Sequence, residues 1–283
     1  MEVKKVGVIG AGTMGNGIAH VFAVSGYDVV MMDIEESFID RAIARITKNL
    51  DRMIKKEKIT AADKDAALAR IGKTTSVKDL GDCEIVVEAA TEDHALKQKI
   101  FKDLSSICKD GAILASNTSS ISITEIAANT KCPEKVIGMH FMNPVPMMKL
   151  VEIVKGVQTS DETVEAVTAL SEKLGKTPVL VNDYPGFVAN RVLMPMINEA
   201  CWTLMQGVAT KEAIDTVMKL GMAHPMGPFQ LADLIGLDVC LAIMEVLYEG
   251  FSDSKYRPCP LLRNMVKAGY LGRKTKQGFY TYE

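Results

Sequence analysis

Apolar residues in the first two-thirds of the chain fall into short continuous runs separated by stretches of helical spacing. Runs at 4–9 (KKVGVI), 28–32 (DVVMM), 84–89 (EIVVEA), 112–116 and 136–141 predict buried strands. Between them, 13–25, 35–58, 61–71 and 92–108 carry apolar positions at helical spacing, and a helical hairpin is predicted near 39–71. Two further strands are expected at 147–155 and 177–182, with a helix over 161–174 between them. Strands alternating with helices predict an α/β fold, a doubly wound, mostly parallel sheet with both faces covered. The pattern changes after Tyr184-Pro185-Gly186: residues 187–206, 211–220, 228–248 and 260–267 all read as helices. Two domains are therefore expected, a Rossmann-type domain at 1–183 and an all-helical one at 184–283.

Composition narrows the class. Hydrophobic residues make up 48% and charged residues 24%, an ordinary globular balance that excludes general disorder. The net charge of −2 supplies no field for nucleic acid. No apolar run approaches the roughly 20 residues of a membrane helix, and the chain enters a strand pattern at its start, so no targeting peptide or membrane association is expected. The six cysteines form no Cys-x-x-Cys pair and none has a histidine at zinc-ligand spacing. Most read as small buried hydrophobes in a cytoplasmic protein, and no metal site is expected.

The first strand runs into Gly10-Ala11-Gly12-Thr13-Met14-Gly15 and a helix. G-x-G-x-x-G is a weak signal alone, but a strand before it and a helix after it give each glycine a task. Gly10 permits the tight turn, Gly12 the approach of a pyrophosphate, and Gly15 close helix–strand packing. Thr13 and Met14 open the helix, whose N-terminal N–H groups attract phosphate. Asp33 ends the second strand at about the 20-residue distance of a ribose partner. Its charge repels a 2′-phosphate, so NAD is expected rather than NADP. The short-chain dehydrogenase pattern G-x-x-x-G-x-G does not fit, and the Tyr270…Lys274 match to that family is interrupted by Gly272.

Of four histidines, His20 reads as packed or surface, His94 as part of a charged helix and His224 as a loop residue. His140 differs: it lies at the end of an apolar strand and precedes Asn143-Pro144-Val145-Pro146. Carboxyl ends of parallel strands are where doubly wound folds bind ligands. Glu152 interrupts the next apolar run, and a buried carboxylate needs a partner. Beside the His140 strand it would orient the imidazole; on an edge strand it would simply face solvent. Ser116-Asn117-Thr118-Ser119-Ser120 follows another strand, and Asn190 opens the helical domain, where a cleft between domains is expected. Both supply neutral hydrogen bonds suited to a substrate oxygen.

Together the segments GAGTMGNGIA, VVEAATED, ASNTSSISI, GMHFMNPVPMMKLVEIV, DYPGFVANR, MKLGMAHPMGPFQLADLIGLD and GRKTKQGFY resemble the 3-hydroxyacyl-CoA dehydrogenase family in its short monofunctional form. The resemblance spans essentially the whole chain. It implies NAD-dependent interconversion of 3-hydroxyacyl-CoA and 3-oxoacyl-CoA, with His140 as base, Glu152 as its partner, and Ser119 and Asn190 on the substrate. It also implies that Asp33, Glu92, Lys97, Asn117, Asn143 and Lys274 line the dinucleotide. Lys56 matches a lysine that contacts CoA, and Asn49 stands where some relatives carry a serine. Lys48, Lys55, Lys56 and Lys58 offer charge complementary to CoA. Dimerisation through the C-terminal domain is implied as well. Met142, Met147 and Met148 suit either an acyl pocket or core. Two rivals are weaker. Free-acid β-hydroxyacid dehydrogenases use a lysine where Asn190 and Arg191 stand, and a non-catalytic relative is expected to lack His140 or Glu152.

Overall fold

The computed structural model describes residues 2–283, which divide into two compact units meeting at Asp183 and Tyr184. The first unit begins with β1 (Lys5–Ile9), α1 (Thr13–Val24) and β2 (Asp28–Met32). A helical pair follows, α2 (Glu36–Lys55) and α3 (Ala61–Ala69), leading to β3 (Ile71–Thr74). On α2, Ile39, Ala42, Ile46 and Leu50 are buried at spacings of three and four, the stripe of an amphipathic helix. Thr60 and Asp63 close a capping box that starts α3.

The chain continues through β4 (Ile85–Glu88), α4 (His94–Ile107), β5 (Ile113–Ser116), α5 (Ile123–Ala127) and β6 (Val136–Phe141). The unit ends with β7 (Leu150–Lys155), α6 (Asp161–Lys173) and β8 (Thr177–Asn182). The eight strands form one sheet in the order β3-β2-β1-β4-β5-β6-β7-β8. All neighbours are parallel except β6 and β7. This is the mostly parallel, doubly wound sheet expected. Val6, Val8, Ile85, Val87 and Ile137 are fully buried in it, as are Phe22 and Phe101 on the helices. Each such side chain contributes about 1.5–3 kcal/mol.

Three elements depart from the sequence reading. Residue 71, expected at the end of a helix, begins β3; with only Ile71 and Thr74 half-buried, this edge strand has too little apolar signal to be read. Helix α5 has five residues, too few for periodicity. The single helix expected over 228–248 is two, broken at Gly236.

The second unit is helical: α7 (Ala189–Met205), α8 (Lys211–Gly221), α9 (Pro228–Ile235), α10 (Leu237–Phe251) and α11 (Pro260–Lys267). Gly236 takes φ +108°, open to glycine alone, and parts α9 from α10. Met194, Ile197, Phe229, Leu237, Met244, Leu247 and Phe279 form its core.

Candidate active site

The glycine turn is held from both sides. Gly10 has φ +93°, and a Cβ there would lie 2.5 Å from the Ala89 carbonyl oxygen. A Cβ on Gly15 would lie 1.7 Å from the Gly10 carbonyl oxygen, so helix and turn meet only with glycine present. A Cβ on Gly12 would meet nothing within 4 Å. That open side, with Gly12 as a helix N-cap that has no side chain, fits a pyrophosphate against the N–H groups of α1. Asp33 accepts the Ala11 N–H on Oδ2 at 2.6 Å and the Ile34 N–H on Oδ1 at 2.7 Å. It is thus fixed to the turn whose ligand it is expected to share. A cavity of about 560 Å³ opens here, lined by Gly10, Gly12, Asp33, Phe38, Arg41 and Ala89 among others.

At the carboxyl end of β6 stands His140. The antiparallel β6–β7 register places Glu152 directly opposite it, on the same face of the sheet. His140 Nδ1 and Glu152 Oε2 lie 2.7 Å apart, and the two residues are only 7% and 2% exposed. Glu152 therefore does not face solvent, and β8 rather than β7 is the edge strand. Asn117 Oδ1 accepts the Phe141 N–H at 2.9 Å, tying the loop after β5 to the residue beside His140.

The serine-rich loop is organised by Glu92. Its Oε1 accepts the Thr118 hydroxyl at 2.6 Å, the Ser119 N–H at 2.8 Å, and the hydroxyls of Ser119 at 3.1 Å and Ser120 at 3.0 Å. Burial pushes the Glu92 carboxyl up, but the Lys97 charge and these hydrogen bonds outweigh it and hold it below its ordinary range. Lys97 is 1% exposed, and its ammonium lies between Glu88 Oε1 at 2.6 Å and Glu92 Oε2 at 3.3 Å.

Asn143 and Asn49 share a second cavity of about 290 Å³ with Thr13 and Asn16, while Lys56 is the exposed C-cap of α2. Lys274 belongs to the helical unit and pairs with Asp238 Oδ1 at 2.5 Å. Asn190 is buried in the first turn of α7. Met147 and Met148 are exposed, not core. Sequence reasoning missed Glu88, Arg41, Arg45 and Arg52. Arg45, Lys48, Asn49 and Arg52 line the second cavity together, and their spacing of three and four along α2 is the signal that finds them.

A G-x-G-x-x-G turn, an acidic residue closing β2 and an eight-stranded doubly wound sheet define a dinucleotide-binding protein. The narrower class comes from similarity. The family model of the 3-hydroxyacyl-CoA dehydrogenase NAD binding domain matches residues 5–184, and that of the C-terminal domain matches 186–282. A probable 3-hydroxybutyryl-CoA dehydrogenase of Deinococcus radiodurans is 58% identical over 98% of this chain and 100% of its own. A 3-hydroxybutyryl-CoA dehydrogenase of Bradyrhizobium diazoefficiens is 55% identical over 99% of this chain and 96% of its own. The crystal structure of (S)-3-hydroxybutyryl-CoA dehydrogenase from Ralstonia eutropha superposes with a TM-score of 0.97 at 57% identity, covering 100% of both chains. The chain belongs to the 3-hydroxyacyl-CoA dehydrogenase family and is an NAD-dependent oxidoreductase.

Proposed function

We propose that this enzyme interconverts (3S)-3-hydroxyacyl-CoA and 3-oxoacyl-CoA, with 3-hydroxybutyryl-CoA and acetoacetyl-CoA as the pair it handles. The observation that carries the reading is the buried His140–Glu152 pair at the carboxyl end of β6. Bound NAD supplies the hydride acceptor. An alcohol holds its proton tightly, so the proton must leave as hydride departs from C3. His140 takes that proton on Nε2, while Glu152, on Nδ1, fixes the ring and stabilises the imidazolium. In the reverse direction His140 returns the proton to the nascent alkoxide. Family resemblance assigns both Ser119, held by Glu92, and Asn190 to the substrate oxygens. The cationic face of α2 around Arg45, Lys48, Asn49 and Arg52, with Lys56 beyond it, suits the anionic CoA moiety.

The same reading includes a homodimer formed through the helical unit, supported by exposed Val192, Val208, Leu220 and Met222. It also places the enzyme in the cytoplasm, supported by six unpaired cysteines. No helix among the described residues is long and apolar enough to cross a membrane.

The test is NADH oxidation with acetoacetyl-CoA, run beside NADPH and on His140→Ala. Fast turnover with NADH is expected, with kcat falling about 10²–10⁴-fold in the variant and NADH binding retained. An enzyme that binds NADH yet leaves acetoacetyl-CoA untouched is incompatible with the proposal.

A further inference from the structure

Glu88 and Lys97 form a fully buried ion pair in the sheet unit, 0% and 1% exposed. Burying two charges costs several kcal/mol per ion, and apolar replacements of such pairs are often neutral or stabilising. Stability alone therefore does not account for this pair, and its place in the fold suggests what does.

Glu88 is the last residue of β4, one strand from the Ser116 that ends β5. Both of its oxygens are in use. Oε1 accepts the Ala90 N–H at 2.7 Å and the Lys97 ammonium at 2.6 Å; Oε2 accepts the Ser116 hydroxyl at 2.7 Å. Lys97 reaches onward to Glu92 Oε2, while every donor of the 118–120 loop that Glu92 holds lies on Oε1. The two oxygens of Glu92 thus have separate partners, Lys97 on one and the loop on the other. The order of contact is Glu88, Lys97, Glu92, Ser119.

We propose that Glu88 is a positioning residue, which holds Lys97 from inside the sheet edge and through Glu92 sets the place of Ser119. The inference rests on the assignment of Ser119 to substrate. A residue that only supported the fold would loosen the whole sheet unit. One acting along this path loosens the serine loop and loses its effect once Ser119 is gone.

The test is Glu88→Gln, which keeps shape and acceptor but removes the charge facing Lys97, alone and combined with Ser119→Ala. The milder Ser116→Ala removes one hydrogen bond to Glu88 and serves the same cycle if the first variant does not fold. Glu88→Gln is expected to lower kcat/KM for acetoacetyl-CoA by about tenfold or more, as coupled neighbours do, and to lower it little further in the Ser119→Ala background. Hydrogen exchange of peptides spanning 118–121 is expected to quicken while β1 and the helical unit hold. A full, additive loss in the double variant, or exchange that quickens evenly across the sheet unit, overturns the inference. Because exchange needs no turnover, it decides the placement even if acetoacetyl-CoA is not a substrate, which would refute the proposed function instead.

Discussion

Buried carboxylates in the two units are satisfied in different ways. In the helical unit, Asp215 accepts the N–H groups of Phe229 and Gln230 and the Tyr280 hydroxyl. Asp233 accepts those of Phe279 and Tyr280 and the Tyr282 hydroxyl. All six donors are neutral, and burial together with Asp215 pushes the Tyr280 phenol well above its ordinary range, so it stays a donor. These aspartates pin the C-terminal segment to the helices. In the sheet unit the partners of Glu88, Glu92 and Glu152 include an ammonium and an imidazole. A carboxylate ringed by fixed neutral donors is a clamp. One that faces an imidazole can take part in proton transfer, and one that faces an ammonium holds a fixed charge.

The widest gap between the two kinds is expected on removing a clamp. Asp233→Ala leaves two backbone N–H groups and a phenol without their acceptor, a loss of about 3 kcal/mol or more. Thermal melting reads it as a lowered midpoint; an unchanged midpoint would show that water replaces the carboxylate. The converse is Glu152→Gln, where kcat is expected to fall about 10²-fold while the midpoint moves little. Steady-state kinetics beside a melt separates the two, and a variant that melts early with full kcat would make Glu152 a clamp as well.

The smallest effect concerns His20, a buried ring of α1 whose Nδ1 has no hydrogen-bond partner among the described residues. Burial, and then the nearby Lys176 charge, lowers its pKa to about 4. The unfolded chain takes a proton near the ordinary value of about 6.5, the folded one only near 4, so stability present above 6.5 is lost as pH falls toward 4. At about pH 5 this amounts to about 2 kcal/mol. His20→Gln is expected to lose less of its melting midpoint than the wild type between about pH 7.5 and pH 5. Parallel decline of both would remove His20 from the acid response.

Much of this is legible in the sequence alone. The glycine turn announces itself because a close approach and a positive φ admit few residue types. Glu152 stood out as a charge inside an apolar run. The strand neighbours of that run could not be read, since pairing depends on which elements meet in space. Glu88 went unnoticed at the end of an apolar strand because its cation lies nine residues away, on a helix whose charged positions otherwise read as solvated. Lys97, matched by resemblance to the dinucleotide, is held between two carboxylates. Edge strand β3 and the break at Gly236 were hidden by weak local signals: two half-buried residues in one case, a single glycine in the other.

The antiparallel step between β6 and β7 separates what can vary from what cannot. A slip of one residue would turn Glu152 to the opposite face of the sheet, so register is under strict constraint. The exposed side chains of Met147 and Met148 are freer, because ladder hydrogen bonds and not these residues hold the pair. They are exchangeable positions between two fixed anchors. A lineage, or an engineer, can rewrite those two methionines while the histidine–glutamate pair is inherited intact.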